Sequence, residues 1–184
     1  LARNFQNSNF FNLVSIIDTS QKNLTKAKKD FPLVRADKNY KDILKIKNIS
    51  LVIISTPTKT HTEIAKFAIK QDKHVLVEKP LSLTLNEVTK LENLAKKNKK
   101  LLFVDYPFLF SGSINYIKKM IDSKKYGDLL EIESYREQAP IRKDCNVVWD
   151  LSVHDISILN YLLNKKPKST KSIKIKNLNS HLAD

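Results

Sequence analysis

Four short apolar runs constrain the fold of this chain more than any other feature of its sequence. Each run is rich in β-branched residues and is bounded by polar or turn-forming residues; the runs cover residues 13–17, 51–54, 75–77 and 101–104. Continuous apolar runs, unlike runs that alternate with polar residues, are typical of strands covered on both faces. The first half of the chain is therefore predicted to contain a parallel sheet.

Helical patterns lie between and after these runs. The predicted helices cover residues 21–30, 40–47, 60–71, 84–97 and 113–122. Two of them begin with a capping box, in which Glu63 follows Thr60 and Glu87 follows Thr84 at the spacing that lets each side chain cap the other's backbone. Strands that alternate with helices predict an α/β fold with a doubly wound parallel sheet, over a first domain of residues 1–123.

The pattern changes after residue 123, and a second domain is predicted over residues 124–184. Its predicted elements are a strand over Leu129–Arg136, a helix over 150–163 and a strand over Lys171–Lys176. Both strands alternate partly between polar and apolar residues, which indicates the start of an α+β domain with an antiparallel sheet.

Composition argues against several classes of protein. The net charge is +14, but only four of the 33 basic residues are arginine and the lysines are spread along the chain. AT-rich codon usage explains this charge better than a nucleic-acid footprint does. No apolar run approaches the roughly 20 residues that span a bilayer, and the start lacks the pattern of a secretory signal. Cys145 is the only cysteine, which excludes an intramolecular disulfide and favours the cytoplasm. From the charge pattern and the short apolar runs, we expect neither nucleic acid nor a membrane as a partner.

Asp18 directly follows the first apolar run. An acidic residue at the end of a parallel strand can accept hydrogen bonds from the ribose hydroxyls of a dinucleotide. The segment Asp18–Ser20 is also an ordinary helix N-cap, and the residue types alone favour the cap.

Two further polar segments follow apolar runs, at the strand ends where open α/β sheets bind ligands. Ser55-Thr56-Pro57, with His61 shortly after it, follows the second run, and Glu78-Lys79-Pro80 follows the third. Pro80 restricts Lys79 to extended backbone, and a lysine at the mouth of a cleft can stabilise a developing alkoxide. The structural alternatives are a plain strand-to-helix turn and a surface Glu–Lys pair.

Asp150 and His154 lie four residues apart at the start of a predicted helix and therefore share a face. Histidine titrates near neutrality and can move a proton, while a carboxylate can orient it. The alternative is a capping Asp with an ordinary surface His. No third ligand accompanies them at metal-binding spacing, so no metal site is predicted.

Together these segments resemble the glucose–fructose oxidoreductase / inositol dehydrogenase family (Gfo/Idh/MocA) of NAD(P)-dependent sugar oxidoreductases. The resemblance is carried by Val52–Pro57 with His61, by Lys73–Leu81 and by Trp149–Asp155, in the order and spacing of the family. It covers nearly the whole chain. The segment Ile141–Asp144 is similar to the branch that acts on nucleotide-linked sugars for surface polysaccharides.

The resemblance implies a role for each of these residues. It implies a catalytic group in which His154 removes the hydroxyl proton, Lys79 holds the substrate oxygen and Asp150 orients His154. The residues implied to bind NAD or NADP are Asp18, Thr56, Pro57, His61, Glu78 and Lys79. Asp18 favours NAD, because a carboxylate repels the 2′-phosphate of NADP. The residues implied to bind a small sugar substrate are Lys79, Arg136, Arg142, Asp150 and His154; the two arginine forks suit a diphosphate.

The chain departs from the family at its start. Its only glycines are Gly112 and Gly127, so the glycine-rich phosphate loop of the family is not present. The strand that precedes this loop in the family is not found either. The second domain holds too few strands to close a sheet. We therefore expect a fragment of a longer, homo-oligomeric enzyme, and expect the isolated chain to be inactive and to bind no NAD(P). The alternatives are a non-catalytic Rossmann-like ligand-binding protein and, on charge alone, a nucleic-acid-binding protein.

Overall fold

The computed structural model describes residues 1–136 and 147–173. Its strands are β1 (Ser15–Ile17), β2 (Arg35–Asp37), β3 (Leu51–Ile54), β4 (His74–Glu78) and β5 (Leu102–Asp105). Its α-helices are α1 (Ala2–Gln6), α2 (Gln21–Asp30), α3 (Tyr40–Leu44), α4 (His61–Lys70), α5 (Leu85–Lys97), α6 (Gly112–Ser123) and α7 (Val153–Leu163). Turns of 3₁₀ helix cover Thr58–Thr60 and Pro107–Phe110, and a π-helical turn, Val148–Ser152, leads into α7.

The chain divides into two compact units, each discontinuous in sequence. Unit 1 comprises Leu1–Ile54, Thr62–Leu76 and Thr89–Phe103; unit 2 comprises Ser55–His61, Val77–Val88 and the described residues from Val104 onward. The residues that directly follow β3, β4 and β5 therefore all belong to unit 2. The sequence predicted a single domain boundary at residue 123, and that boundary stays a prediction.

In unit 1, β1 and β2 form a parallel pair in which Ser15 lies opposite Arg35 and Ile17 opposite Asp37. The connection between them is α2, whose N-cap Ser20 accepts a hydrogen bond from a backbone N–H of the first turn at 3.4 Å. The sequence did not predict β2. Its three residues include two charged ones, so nothing but pairing with β1 distinguishes it from a loop.

The other sheet has the strand order β3-β4-β5. The His74 N–H donates to the Ser50 carbonyl at 2.8 Å, and the Val75 N–H donates to the Leu101 carbonyl at 2.9 Å, which places β4 in the centre. The helices α4 and α5 are the crossovers, and their apolar stripes are buried at Ala65, Ala68, Ile69, Leu91 and Ala95. The predicted α/β fold with a parallel sheet is confirmed.

In unit 2, α6 and α7 pack together. The Tyr161 hydroxyl of α7 donates to the Asn115 side-chain oxygen of α6 at 2.5 Å, and Leu162 is buried. Asn164 ends α7 in the left-handed conformation with a φ of 47°, which asparagine tolerates better than most residues.

The strand predicted over Leu129–Arg136 is not formed. This segment has no regular secondary structure, and Leu130 and Tyr135 are 96% and 87% exposed. Alternation makes a strand only where a second strand supplies the hydrogen bonds, and no described residue after Asp105 belongs to a strand. Of the strand predicted over Lys171–Lys176, residues 171–173 are irregular and the others lie outside the described residues. Within the described ranges, no helix is long and apolar enough to cross a membrane.

Candidate active site

Lys79 follows the last residue of β4 and is held by Asp150 of the π-helical turn in unit 2. The Lys79 Nζ donates to the Asp150 main-chain carbonyl at 2.6 Å and to its Oδ1 at 3.2 Å. The two side chains are only 13% and 11% exposed. A buried ion pair is retained only where its geometry and hydrogen bonds offset the loss of hydration, so this pair fixes where the ammonium lies.

His154 lies one turn after Asp150, in the first turn of α7. Its Nδ1 is buried and has no hydrogen-bond partner among the described residues. Burial lowers the pKa of His154 below its usual 6.5, the positive charges of Lys79 and Arg136 lower it further, and Asp155 and Asp150 partly oppose the shift. The imidazole is therefore neutral near pH 7 and able to accept a proton.

Phe108 connects His154 to a second ion pair. Its ring meets the His154 ring edge-on, with centroids 5.0 Å apart and planes at 82°. The Arg136 guanidinium carbon lies 4.8 Å from the centroid of the same ring. Phe108 thus packs against the imidazole and beneath a cation, which limits the orientations open to both.

Arg136 pairs with Asp155, the residue after His154. Its Nε donates to the two carboxylate oxygens at 3.1 and 2.9 Å, and its Nη2 donates to Oδ1 at 3.0 Å. Burial by itself raises the pKa of Asp155, but the hydrogen bonds from Arg136 and Ser134 outweigh it, so the pKa lies below its usual value. Arg136 is therefore already engaged by a carboxylate, and Arg142 lies outside the described residues.

His61, predicted to line a cofactor cleft, is 1% exposed. Its Nδ1 is 2.9 Å from the Pro80 carbonyl oxygen and its Nε2 is 2.7 Å from the Thr56 carbonyl oxygen. Both ring nitrogens are thus occupied by main-chain oxygens of unit 2. Thr56 and Pro57 are exposed, and Glu78 is half-buried at the end of β4.

Asp18 belongs to unit 1, where its carboxylate lies at the start of α2. One oxygen accepts from the Ser20 N–H at 2.7 Å and the other accepts from the Asn23 side-chain amide at 2.8 Å. The carboxylate therefore stabilises the first turn of α2, in line with the capping alternative. A ribose contact of Asp18 stays a prediction.

The structure brings part of the predicted catalytic group together. Lys79 touches Asp150, and the charges of both act on His154. The sequence predicted that Asp150 orients His154, but the Asp150 carboxylate binds Lys79 and does not bind His154 Nδ1. The sequence analysis assigned no role to Phe108, for which no local signal exists, or to Asp155, the last residue of the segment Trp149–Asp155.

A cavity of about 670 Å³ lies in unit 2. Apolar side chains of α6 and α7 contribute to its lining, together with Phe108, Arg136 and Asp155. Neither Lys79 nor His154 lines it, so we do not place the chemistry there. Within residues 1–136 and 147–173, no group of three His, Cys, Asp or Glu residues could hold a metal ion.

Comparisons with known proteins identify the family to which the chain belongs. Residues 1–106 match the model of the GFO_IDH_MocA family, described as an oxidoreductase family with an NAD-binding Rossmann fold. A 1-carboxy-3-chloro-3,4-dihydroxycyclohexa-1,5-diene dehydrogenase from Comamonas testosteroni is 34% identical over 66% of this chain and 31% of its own length. The myo-inositol 2-dehydrogenase of Thermotoga maritima is 27% identical over 84% of this chain and 48% of its own length.

Solved structures show the same fold. The apo scyllo-inositol dehydrogenase of Lactobacillus casei superposes with a TM-score of 0.80 at 22% identity, over 88% of this chain and 50% of its own. The chain thus spans between about a third and a half of the length of the relatives that it matches.

Proposed function

The chain belongs to the Gfo/Idh/MocA oxidoreductase family, and we propose that it carries the reaction centre of an NAD(P)-dependent dehydrogenase acting on a hydroxyl carbon of a sugar or sugar-like polyol. The observation that carries the proposal is the buried Lys79–Asp150 pair beside a neutral His154. A surface Glu–Lys pair or a helix-capping Asp requires neither the burial nor the neighbouring histidine.

We assign His154 as the general base. A neutral imidazole can accept the proton of a substrate hydroxyl, and the lowered pKa keeps it neutral at physiological pH. Lys79 binds the oxygen that loses this proton and stabilises its negative charge with its ammonium. Asp150 holds the ammonium in place through two hydrogen bonds. Phe108, whose ring packs against His154, limits the orientation of the imidazole.

Several of the described residues have chemistry that suits a nicotinamide dinucleotide, although the chain holds no glycine-rich loop for its phosphates. The Asp18 carboxylate at the end of β1 can accept from ribose hydroxyls while it caps α2. Thr56 and Pro57 are exposed in the loop after β3, Glu78 ends β4, and Lys79 directly follows it. When bound, this cofactor supplies the acceptor or donor of the hydride. We favour NAD over NADP because the Asp18 carboxylate repels a 2′-phosphate.

The substrate class is the finer part of the proposal. Names of relatives include inositol dehydrogenases, whose substrates are polyols. We propose a sugar or nucleotide-linked sugar, with Arg136 and Arg142 binding an acidic group and with a role in surface polysaccharide synthesis. Since Asp155 occupies two nitrogens of Arg136, a substrate anion has to compete with or share that carboxylate. Assembly as a homo-oligomer and a cytoplasmic location also stay predictions.

The test is a screen of polyols, sugars and nucleotide-linked sugars by NADH absorbance. It uses the polypeptide of residues 1–184 and, in parallel, the whole translation product of the gene that encodes it. Lys79→Met should lower kcat of any activity found by about 10²–10³-fold, because an ammonium aimed at the developing charge is lost. Lys96→Met is the matched control, because Lys96 pairs with Glu92 on the surface and is 71% exposed.

The outcomes separate an enzyme from a binder. Turnover that depends on Lys79 and His154 but not on Lys96 supports the proposal. Binding of a cofactor or sugar without turnover, in a folded whole product, would identify a non-catalytic ligand-binding protein and overturn it.

A further inference from the structure

Among the described residues of unit 2, His61 is the most deeply buried titratable side chain, and it has no part in the chemistry proposed above. It is the first residue of α4, and its ring lies between two main-chain carbonyls. The Thr56 carbonyl belongs to the loop after β3, at 2.7 Å, and the Pro80 carbonyl belongs to the loop after β4, at 2.9 Å. A single ring thus bridges two loops that are distant in sequence.

We propose that His61 is a positioning residue for Lys79, which it holds through the contacts that its ring makes with these two loops; the inference rests on the function proposed above. Carbonyl oxygens are acceptors only, so a ring with one N–H donates to one of the two carbonyls. The contact that bears on Lys79 is the one between Nδ1 and the Pro80 carbonyl.

The bridge acts on Lys79 through the backbone. Pro80 directly follows Lys79, and its ring restricts φ, so a bond to the Pro80 carbonyl limits where the Lys79 backbone lies. The ammonium end of the same side chain is held by Asp150. Lys79 is therefore held at both ends, by His61 on the backbone side and by Asp150 at the Nζ.

The loop after β3 is held in place by its own hydrogen bonds, independently of His61. The Thr60 hydroxyl lies 2.7 Å from the Thr56 hydroxyl and 2.7 Å from the Pro57 carbonyl, and the Thr60 N–H donates to that carbonyl at 2.9 Å. The loop after β3 is thus tied to the turn Thr58–Thr60, from which α4 and His61 continue. The bridge transfers this rigidity to the loop that carries Lys79.

Two conservative variants separate the effects of the two ring contacts of His61. The amide nitrogen of asparagine lies near the position of Nδ1, so His61→Asn keeps a donor for Pro80; the longer His61→Gln instead keeps a donor near Nε2, for Thr56. If the Pro80 bond positions Lys79, only His61→Gln releases it. His74→Gln is the matched control, because His74 lies in unit 1 and accepts a hydrogen bond from the Leu101 N–H.

The readout is the rate at which acetic anhydride acetylates Lys79, followed by peptide mass spectrometry on the whole chain. His61→Gln should raise this rate by about fivefold, the equivalent of one net hydrogen bond, and His61→Asn by less than about twofold. Lys96 is the exposed reference in the same digest, and Lys73, which is 4% exposed and bonded to the Ile46 carbonyl, reports unfolding. A purely structural role would release Lys73 and Lys79 together.

A second measurement needs no variant to fold. Nitrogen-15 spectra of the wild-type chain should show a slowly exchanging ring N–H at Nδ1 of His61, the nitrogen that lies 2.9 Å from the Pro80 carbonyl oxygen. A ring without an N–H at Nδ1 overturns the bridge, as does equal acetylation of Lys79 in the folded Asn and Gln variants. Neither readout requires turnover, so a failed substrate screen would refute the proposed function and leave this inference standing.

Discussion

Replacing Asp150 with asparagine tests whether the Lys79–Asp150 pair is a desolvated site or an ordinary ion pair. The change preserves shape and the main-chain carbonyl that accepts from Nζ at 2.6 Å, and it removes only the carboxylate charge at 3.2 Å. Breaking a buried pair costs about 3–5 kcal/mol when the remaining charge loses every partner. Because the carbonyl remains, we expect a loss of about 2–3 kcal/mol in the free energy of unfolding, within the range of a hydrogen bond to a charged group.

The assay is urea unfolding of the chain, followed by circular dichroism. Asp42→Asn is the matched control, since Asp42 pairs with Lys45 at the same 3.2 Å but with side chains 60% and 62% exposed. Exposed ion pairs contribute about 0–1 kcal/mol, so the free energy of unfolding should hardly change in Asp42→Asn. The double variant Lys79→Met/Asp150→Asn should recover part of the loss, because no unpaired charge remains buried. Equal effects of the two Asp→Asn changes would refute the reasoning.

Three further predictions follow from the same unit and from the composition. The His154 pKa, measured by NMR titration, should lie below 6.5, and it should rise in Phe108→Ala as water reaches the ring. Between the lowered pKa and 6.5 the folded wild-type chain binds fewer protons than the unfolded chain. The free energy of unfolding should therefore fall as the pH drops through that window. An unshifted titration would contradict this. Asp155→Asn should lower the free energy of unfolding by about 1–2 kcal/mol at pH 7 and by little at a pH below the lowered Asp155 pKa, because a carboxylate with a depressed pKa stabilises the fold only while it is ionised. Urea unfolding at both pH values measures this difference. An equal loss at the acid pH would contradict the prediction. The polypeptide of residues 1–184 should show no NAD(P)H binding by fluorescence titration, since it holds only two glycines and no glycine-rich phosphate loop; tight binding would be the refuting outcome.

Local patterns predicted most of unit 1. Apolar runs and capping boxes located β3, β4, α4 and α5 to within a residue or two, because these elements depend on burial and on neighbours along the chain. The strand β2 was missed, because its polar residues form a strand only through pairing with β1. The strand predicted over Leu129–Arg136 was wrong for the converse reason, since alternation without a described partner leaves the segment irregular.

The sequence by itself determined the order of the chemical groups: a lysine held by a following proline, then an aspartate and a histidine four residues apart. It also determined the family, because those spacings are a property of the chain alone. Tertiary structure decided which partner each group has. It placed the Asp150 carboxylate on Lys79, set the His61 ring between two main-chain carbonyls, and set Phe108 against His154. These contacts join residues as many as 71 positions apart, and burial and charge at such contacts depend on packing, which local sequence patterns do not encode.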